Sequence, residues 1–335
     1  MGWFGRGQRK KRAPVGDRAT ESDVRHAYRL LLQRDPDPAG LAHFRCRVRE
    51  GLSLAELIGE FVRSDEHHAL RERESLEEEQ VVDLGGYQLL VPTRDPDFGS
   101  NIYAFKEYEA PVRKALRECL RPGDTFIDIG ANIGVMTFLG ASIVGASGRV
   151  IAVEPNPENV QLLYRNIVLN GSTRVEVLPL AASDRRSVFS LTGRSNTHLS
   201  APQGARGGGH LVQSVPLDDL LGDLPRLDLV KLDVEGHEPP ALHGMMRILT
   251  RHRPTTVTEF NPRCLSVQRQ EPDEYLRRIL ALYPSVRVIS QFGDDERFER
   301  AEDVLQFWER RDGEVTAQGL LPRGLLHFDL VAVAG

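Results

Sequence analysis

Cysteine is nearly missing: Cys46, Cys119 and Cys264 are spread over 335 residues, with no C-x-x-C pair among them. That argues against a disulfide framework and against a structural zinc site; packing as reduced thiols is the expected role. Long apolar runs are missing too. None approaches the roughly 18 residues that a membrane-crossing helix needs. The amino-terminal MGWFGRGQRKKRAPVGDR lacks the apolar stretch of a secretory signal. Gly2 sits as in a myristoylation site, but Arg6 occupies the position that motif reserves for serine or threonine. An excess of positive charge is also lacking. The 43 Lys and Arg against 48 Asp and Glu leave a net charge of -5, which disfavours nucleic acid as a partner. The expectation is a cytoplasmic protein with no transmembrane segment.

What is present describes a soluble globular chain, 40% hydrophobic and 27% charged, long enough for two domains. Residues 1–20 read as a disordered basic tail around Arg9–Arg12. Residues 21–70 read as a small helical unit. Val24, Ala27, Tyr28 and Leu31 follow helical spacing, and the prolines of RDPDPAG then break the helix. Leu41, Phe44 and Val48 start a second apolar stripe. Ser53 and Glu56 form a capping box ahead of a third, on Leu54, Leu57, Ile58 and Phe61. Residues 71–99 read as a charged linker and a short strand.

From residue 100 onward strands and helices alternate. Strands are expected at 125–129, 149–154, 174–180, 227–233, 254–260, 286–292 and 327–334, and helices at 133–144, 158–169, 239–250 and 272–282. Near-continuous apolar strands alternating with helices predict an α/β fold: a mainly parallel, doubly wound sheet covered on both faces. The glycine-rich stretch 193–210 reads as a loop.

Three segments of this region carry chemistry. In DTFIDIGANIGVMTFLG a strand ends at Asp128 and Gly130-x-Asn132-x-Gly134 leads into a helix. Gly130 permits a tight turn and close approach of a ligand. The spacing is not that of the dinucleotide fingerprint. In RVIAVEPNPENV, Glu154 ends the second strand, where doubly wound folds place an acid that accepts ribose hydroxyls; Asn156 is a candidate partner beside it. In DLVKLDVEGHE an apolar strand ends in Asp233, Glu235, His237 and Glu238. Crowded acids are costly to bury, so a ligand, a proton or a cation is expected among them. His237 suits a general base, Asp233 or Glu235 would orient it, and Glu238 is expected to favour the helix start. Asp184, after the third strand, is either an adenine contact or a turn residue. Asp233 with Glu259 and Asn261 offers oxygen ligands of the kind Mg²⁺ takes; hydrogen bonding to a sugar is the alternative.

Taken in order, FIDIGANIG, VEPNP, LDVEGHE and TEFNP resemble the FkbM-type class I methyltransferases over roughly residues 100–262. The resemblance implies a Rossmann-like sheet of seven strands, the last antiparallel. It also implies transfer of methyl from S-adenosylmethionine to a hydroxyl of a sugar, glycan or related natural product. Asp128, Gly130, Asn132 and Gly134 would then frame the methionine moiety, Glu154 and Asn156 the ribose, Asp184 the adenine, and Asp233, Glu235 and His237 the reacting hydroxyl. AYRLLLQRDPDPAGLAHF and SLAELIGEFVRSDEH resemble a helical module found beside bacterial glycan-processing enzymes, which implies docking of a protein or glycan through residues 22–70. Two other readings stay open: a nicotinamide-dependent oxidoreductase, which the glycine spacing disfavours, and a non-catalytic methyltransferase-like scaffold.

Overall fold

The computed structural model describes residues 18–32, 34–67, 79–95, 98–192, 198–200 and 210–334. The basic run Arg9–Arg12, most of the charged run 71–80 and the glycine-rich 201–209 lie outside them. The chain divides after Glu78 into two compact units.

Among its described residues the first unit holds the helices Glu21–Leu31, Pro38–Arg49 and Leu54–Val62. Reciprocal capping boxes open the first and third, Thr20 with Asp23 and Ser53 with Glu56, each satisfying two otherwise orphaned donors. Asp37 caps the second, with Pro38 as its first residue. Val24, Ala27, Tyr28, Leu57 and Phe61 form the core. The Tyr28 ring meets Phe61 edge-on at 4.9 Å.

The second unit opens with a hairpin, β1 (Glu79–Asp83) and β2 (Gln88–Pro92). Two helices follow, Gly99–Phe105 and Ala110–Cys119, then β3 (Thr125–Ile129), the helix Val135–Val144, β4 (Arg149–Val153), the helix Pro157–Asn170 and β5 (Val175–Leu178). The chain then leaves the main sheet as β6 (Ala181–Ala182), β7 (Ser187–Thr192), β8 (His198–Ser200) and β9 (His210–Val215). It returns as β10 (Leu229–Leu232), β11 (Thr255–Phe260), β12 (Val286–Ile289), β13 (Asp295–Phe298) and β14 (Phe328–Ala332).

The main sheet runs β13-β12-β14-β11-β10-β3-β4-β5. Strands β5, β4, β3, β10 and β11 are parallel, and β14 is antiparallel to both its neighbours. All seven expected strands are present, and the eighth, β13, is added as an edge hairpin on β12. Strand order reverses at β3, so β3 and β10 flank the crevice in which doubly wound sheets bind ligands. Every residue of β3 and of β10 is buried, as expected of central parallel strands.

Two expectations are corrected. Residues 193–210 are not simply loop: β8 and the first residue of β9 fall within them, in a separate four-stranded sheet ordered β6-β9-β7-β8. The single helix at 239–250 is two, Glu238–His243 and Met246–His252. They break at Gly244, where a Cβ would lie 1.9 Å from the Ser183 carbonyl oxygen. Among the described residues no helix is long and apolar enough to cross a membrane.

Candidate active site

A cleft opens at the carboxyl ends of β3, β4 and β10, and six of the expected residues line it: Asp128, Gly130, Asn132, Glu154, Asp233 and Glu235. Its floor is the turn after β3. Gly130 (φ 81) passes so close to β10 that a Cβ would lie 1.7 Å from the Asp233 carbonyl oxygen. Asn132 keeps a left-handed conformation (φ 50) although it is not glycine, a strain that persists only where surroundings impose it. Gly134 stands behind the cleft as the cap of the next helix.

Two carboxylates of the cleft are held in different ways. Asp128 is fully buried. Its Oδ2 accepts from the Thr137 hydroxyl at 2.6 Å, while its Oδ1 is buried without a partner. Burial raises its proton affinity, against the pull of Lys231. Glu154 accepts from the Asn132 and Asn156 backbone N–H groups, each at 2.8 Å, and from Asn159 Nδ2 at 3.4 Å. These bonds fix the carboxylate plane and leave lone pairs for further donors. Burial pushes its pKa up to about 7, with those three bonds opposing. Asn156 itself is spent as a helix cap, its side chain accepting from the Glu158 N–H at 2.9 Å.

At the end of β10, Lys231 and Asp128 are register neighbours. The Lys231 ammonium donates to Asp233 Oδ2 at 2.9 Å and is almost wholly buried. Burial works against that charge, but Asp233, Glu109 and Asp128 together raise its pKa above that of an ordinary lysine. Beyond Asp233 the chain turns through Glu235, left-handed at φ 55, and Gly236.

The remaining expected residues stand elsewhere. His237 lines a different pocket, against the four-stranded sheet, together with Asp184. Its Nε2 is 3.0 Å from the Ser183 hydroxyl, and its ring meets Phe189 edge-on at 5.5 Å. Burial pushes its pKa down to about 4, only partly offset by Asp184, so the imidazole is neutral and weakly basic near neutral pH. Asp184 accepts from the Ser183 hydroxyl and from Arg185 just after β6.

The oxygen-ligand set also differs from expectation. Carboxylate oxygens of Asp233, Glu238 and Glu259 lie within 4.8 Å of one another. Asn261 is spent as a helix cap for Cys264 N–H and donates to Glu259. Glu238 Oε1 accepts from the Val234 and Gly236 N–H groups. Burial drives Glu238 up to about 7 and Glu259 well above the usual carboxyl range. Raised proton affinity at Glu238 and Glu259 eases the repulsion between those two acids, and no metal role is assigned to the cluster.

Sequence reasoning missed Lys231, Asn159 and Tyr108, all in the cleft wall, and Leu191 on β7 and Leu199 on β8, which also line it. A lysine inside the apolar run LVKL was a readable signal; Tyr108 had none.

Residues 128–286 match the methyltransferase FkbM domain model, and residues 15–71 match a domain of unknown function, DUF4214. The chain is 30% identical over 146 residues to the hexuronic acid methyltransferase AglP of Haloferax volcanii, covering 42% of this chain and 58% of that protein. It is 37% identical over 57 residues to an arsenite methyltransferase of Halobacterium salinarum, covering 17% and 15% of the two chains. The chain thus spans less than two thirds of the length of either relative. Among solved structures, a methyltransferase FkbM from Methylobacillus flagellatus KT superposes with a TM-score of 0.38 at 18% identity, over 81% of this chain and 57% of that one. The family expectation drawn from FIDIGANIG, VEPNP and LDVEGHE is met over residues 128–286, which match the FkbM methyltransferase domain model.

Proposed function

We propose that the FkbM methyltransferase domain of this chain moves a methyl group from S-adenosylmethionine to a hydroxyl of a sugar or glycan. The carrying observation is the pair of prepared carboxylates at the switch point between β3 and β10. Asp128 keeps a buried Oδ1 without a partner, suited to an ammonium or N–H donor. Glu154 is held in plane by two backbone N–H groups, suited to a ribose diol. Bound there, S-adenosylmethionine supplies a methyl group activated by its sulfonium.

The chain's own residues do the rest. Asp128, Gly130 and Asn132 hold the amino-acid end, and Glu154 with Asn159 holds the ribose. Phe98, Leu191 and Leu199 exclude water. Lys231 fixes Asp233, so that Asp233 and Glu235 edge the reacting end of the cleft. His237 lies outside that arrangement and receives no proton-transfer role, and Mg²⁺ receives no step. A sugar acceptor is supported by the hexuronic acid specificity in the name of the relative from Haloferax volcanii.

Calorimetry with S-adenosylmethionine tests the reading. Wild type should bind, and Asp128→Ala and Glu154→Ala should each lose about tenfold or more in affinity, as expected when a charge-assisted contact is removed. A wild-type protein that does not bind the donor ends this reading.

A further inference from the structure

Between the helices Gly99–Phe105 and Ala110–Cys119, the turn Lys106–Glu109 is strained at both ends. Lys106 (φ 53) and Glu109 (φ 43) are both left-handed without being glycine, at roughly 1–2 kcal/mol each. The strain directs two side chains. Tyr108 reaches the cleft and packs edge-on against Phe98 at 4.6 Å. Glu109 is hydrogen-bonded by Tyr108, and its Oε2 is buried without a partner. Local structure gives no reason for an acid there. Glu109 precedes a helix but makes no side-chain cap bond to it, and no salt bridge reaches it among the described residues.

Tyr108 also lines a second groove. Glu109, Lys114, Arg287, His327 and Asp329 line that groove with it. Tyr108 is therefore common to the two spaces, and Glu109 lines the groove beside it. The charged and titratable groups around Glu109 are Tyr108 on its own turn, Asp128 on β3, Lys231 and Asp233 at β10, and Asp329 on β14.

We infer that this groove receives the acceptor sugar and that Glu109 is the base that takes the proton from its hydroxyl. The inference rests on the methyl-transfer reading above. The acceptor O–H bond breaks toward Glu109 Oε2. The oxygen pair forms the bond to the methyl carbon as the carbon–sulfur bond breaks, its electrons staying on sulfur to give S-adenosylhomocysteine. The proton then leaves Glu109 through the groove. The other candidates are engaged: Asp233 Oδ2 by Lys231, and His237 in another pocket with Ser183. Burial, opposed by Lys231, sets Glu109 at about 7, where a general base is most effective near neutral pH.

The test uses the full chain, labelled S-adenosylmethionine and a panel of uronic-acid oligosaccharides. Donor affinity by calorimetry should be the same in wild type and Glu109→Gln, within about twofold. The variant should lose about 100-fold or more in kcat, together with the rising limb of the pH–rate profile near 7. Without any acceptor, the infrared spectrum of wild type minus that of Glu109→Gln should show a protonated-carboxyl band that titrates near pH 7, distinct from the bands of Glu154 and Glu238, which persist in the variant. Lys114→Trp, which fills the groove mouth, should raise the acceptor KM about tenfold or more while leaving donor affinity unchanged. A Glu109→Gln protein that melts as wild type does, binds donor and keeps the wild-type rate or pH profile overturns the base assignment, as does an unchanged infrared titration. An unchanged acceptor KM in Lys114→Trp overturns the groove. Failure of wild type to bind donor overturns the methyl-transfer reading instead.

Discussion

Acidic residues behave in opposite ways in the two units. In the helical unit they face water beside arginines: Arg45 bonds Glu21 at 2.7 Å, Arg34 bonds Glu66 at 2.5 Å, and Arg47 pairs with Glu60. The Arg45 hydrogen bond, with Arg25 helping, holds Glu21 at about 2. At the sheet edge of the second unit, Asp128, Glu154 and Glu238 are buried and Glu259 and Asp329 half-buried, and burial raises the proton affinity of each. The residue types are the same; solvation decides the sign. The first group serves solubility. The second stores electrostatic cost where a doubly wound sheet takes its ligand.

Removing the buried cation is the severest way to break this contrast. Lys231→Met leaves Asp233 and its acidic neighbours without their positive partner. It should cost on the order of 3–5 kcal/mol in urea unfolding at about pH 8, and less at about pH 5, where the neighbours take up protons. An equal loss at both pH values would mean that packing, not charge, makes Lys231 matter. Next comes Gly130→Ala. A methyl would collide with the Asp233 carbonyl in a left-handed backbone, so a loss of about 2–4 kcal/mol is expected, with donor binding abolished in calorimetry. Retained donor affinity would show that the β3 turn can shift away from β10 at no functional cost.

Much of this edge could be read in the sequence, because strand ends and their acids follow from period and position. Asp128, Glu154 and Asp233 each close an apolar run, and the sheet brings them together. What could not be read depends on where the chain goes afterwards. Asp184 follows β6, by which point the chain has left the main sheet for the four-stranded one, so nearness to a strand end no longer implies the cleft. Asn156 and Asn261 each precede a proline at a helix start, and an asparagine there serves as a cap as readily as a ligand contact. His237 lies four residues beyond Asp233, but the left-handed Glu235–Gly236 turn carries it to another pocket. Glu109 lies in no periodic pattern, and its place beside Lys231 exists only after folding.

A smaller effect sharpens the pH side of the contrast. Burial, reinforced by Asp233, raises Glu259 well above its ordinary range. A raised acid contributes stability that is complete below its unfolded pKa of 4.5 and is lost as pH rises through the folded value. Glutamine has no proton to lose. Glu259→Gln should therefore gain about 1 kcal/mol over wild type at about pH 8 and nothing at about pH 5, by urea unfolding at both. A gain at both pH values would assign the effect to packing.

The smallest effect belongs to the helical unit. Glu21 has a depressed pKa, so the sign reverses: its stabilising contribution is present above 4.5 and is lost as pH falls through about 2. The direction is as clear as for any sheet-edge acid, yet Glu21 and Arg45 lie in water, where salt screens the pair and two long side chains must be ordered to form it. Arg45→Ala and Glu21→Gln should therefore leave the thermal midpoint near neutral pH unmoved in physiological salt, although Glu21 in Arg45→Ala should titrate closer to 4.5 in NMR. A clear fall in the midpoint would mean that the pair is shielded from water in solution. The separation between the two units would then lie in which partners the acids have, and no longer in how far they are from solvent.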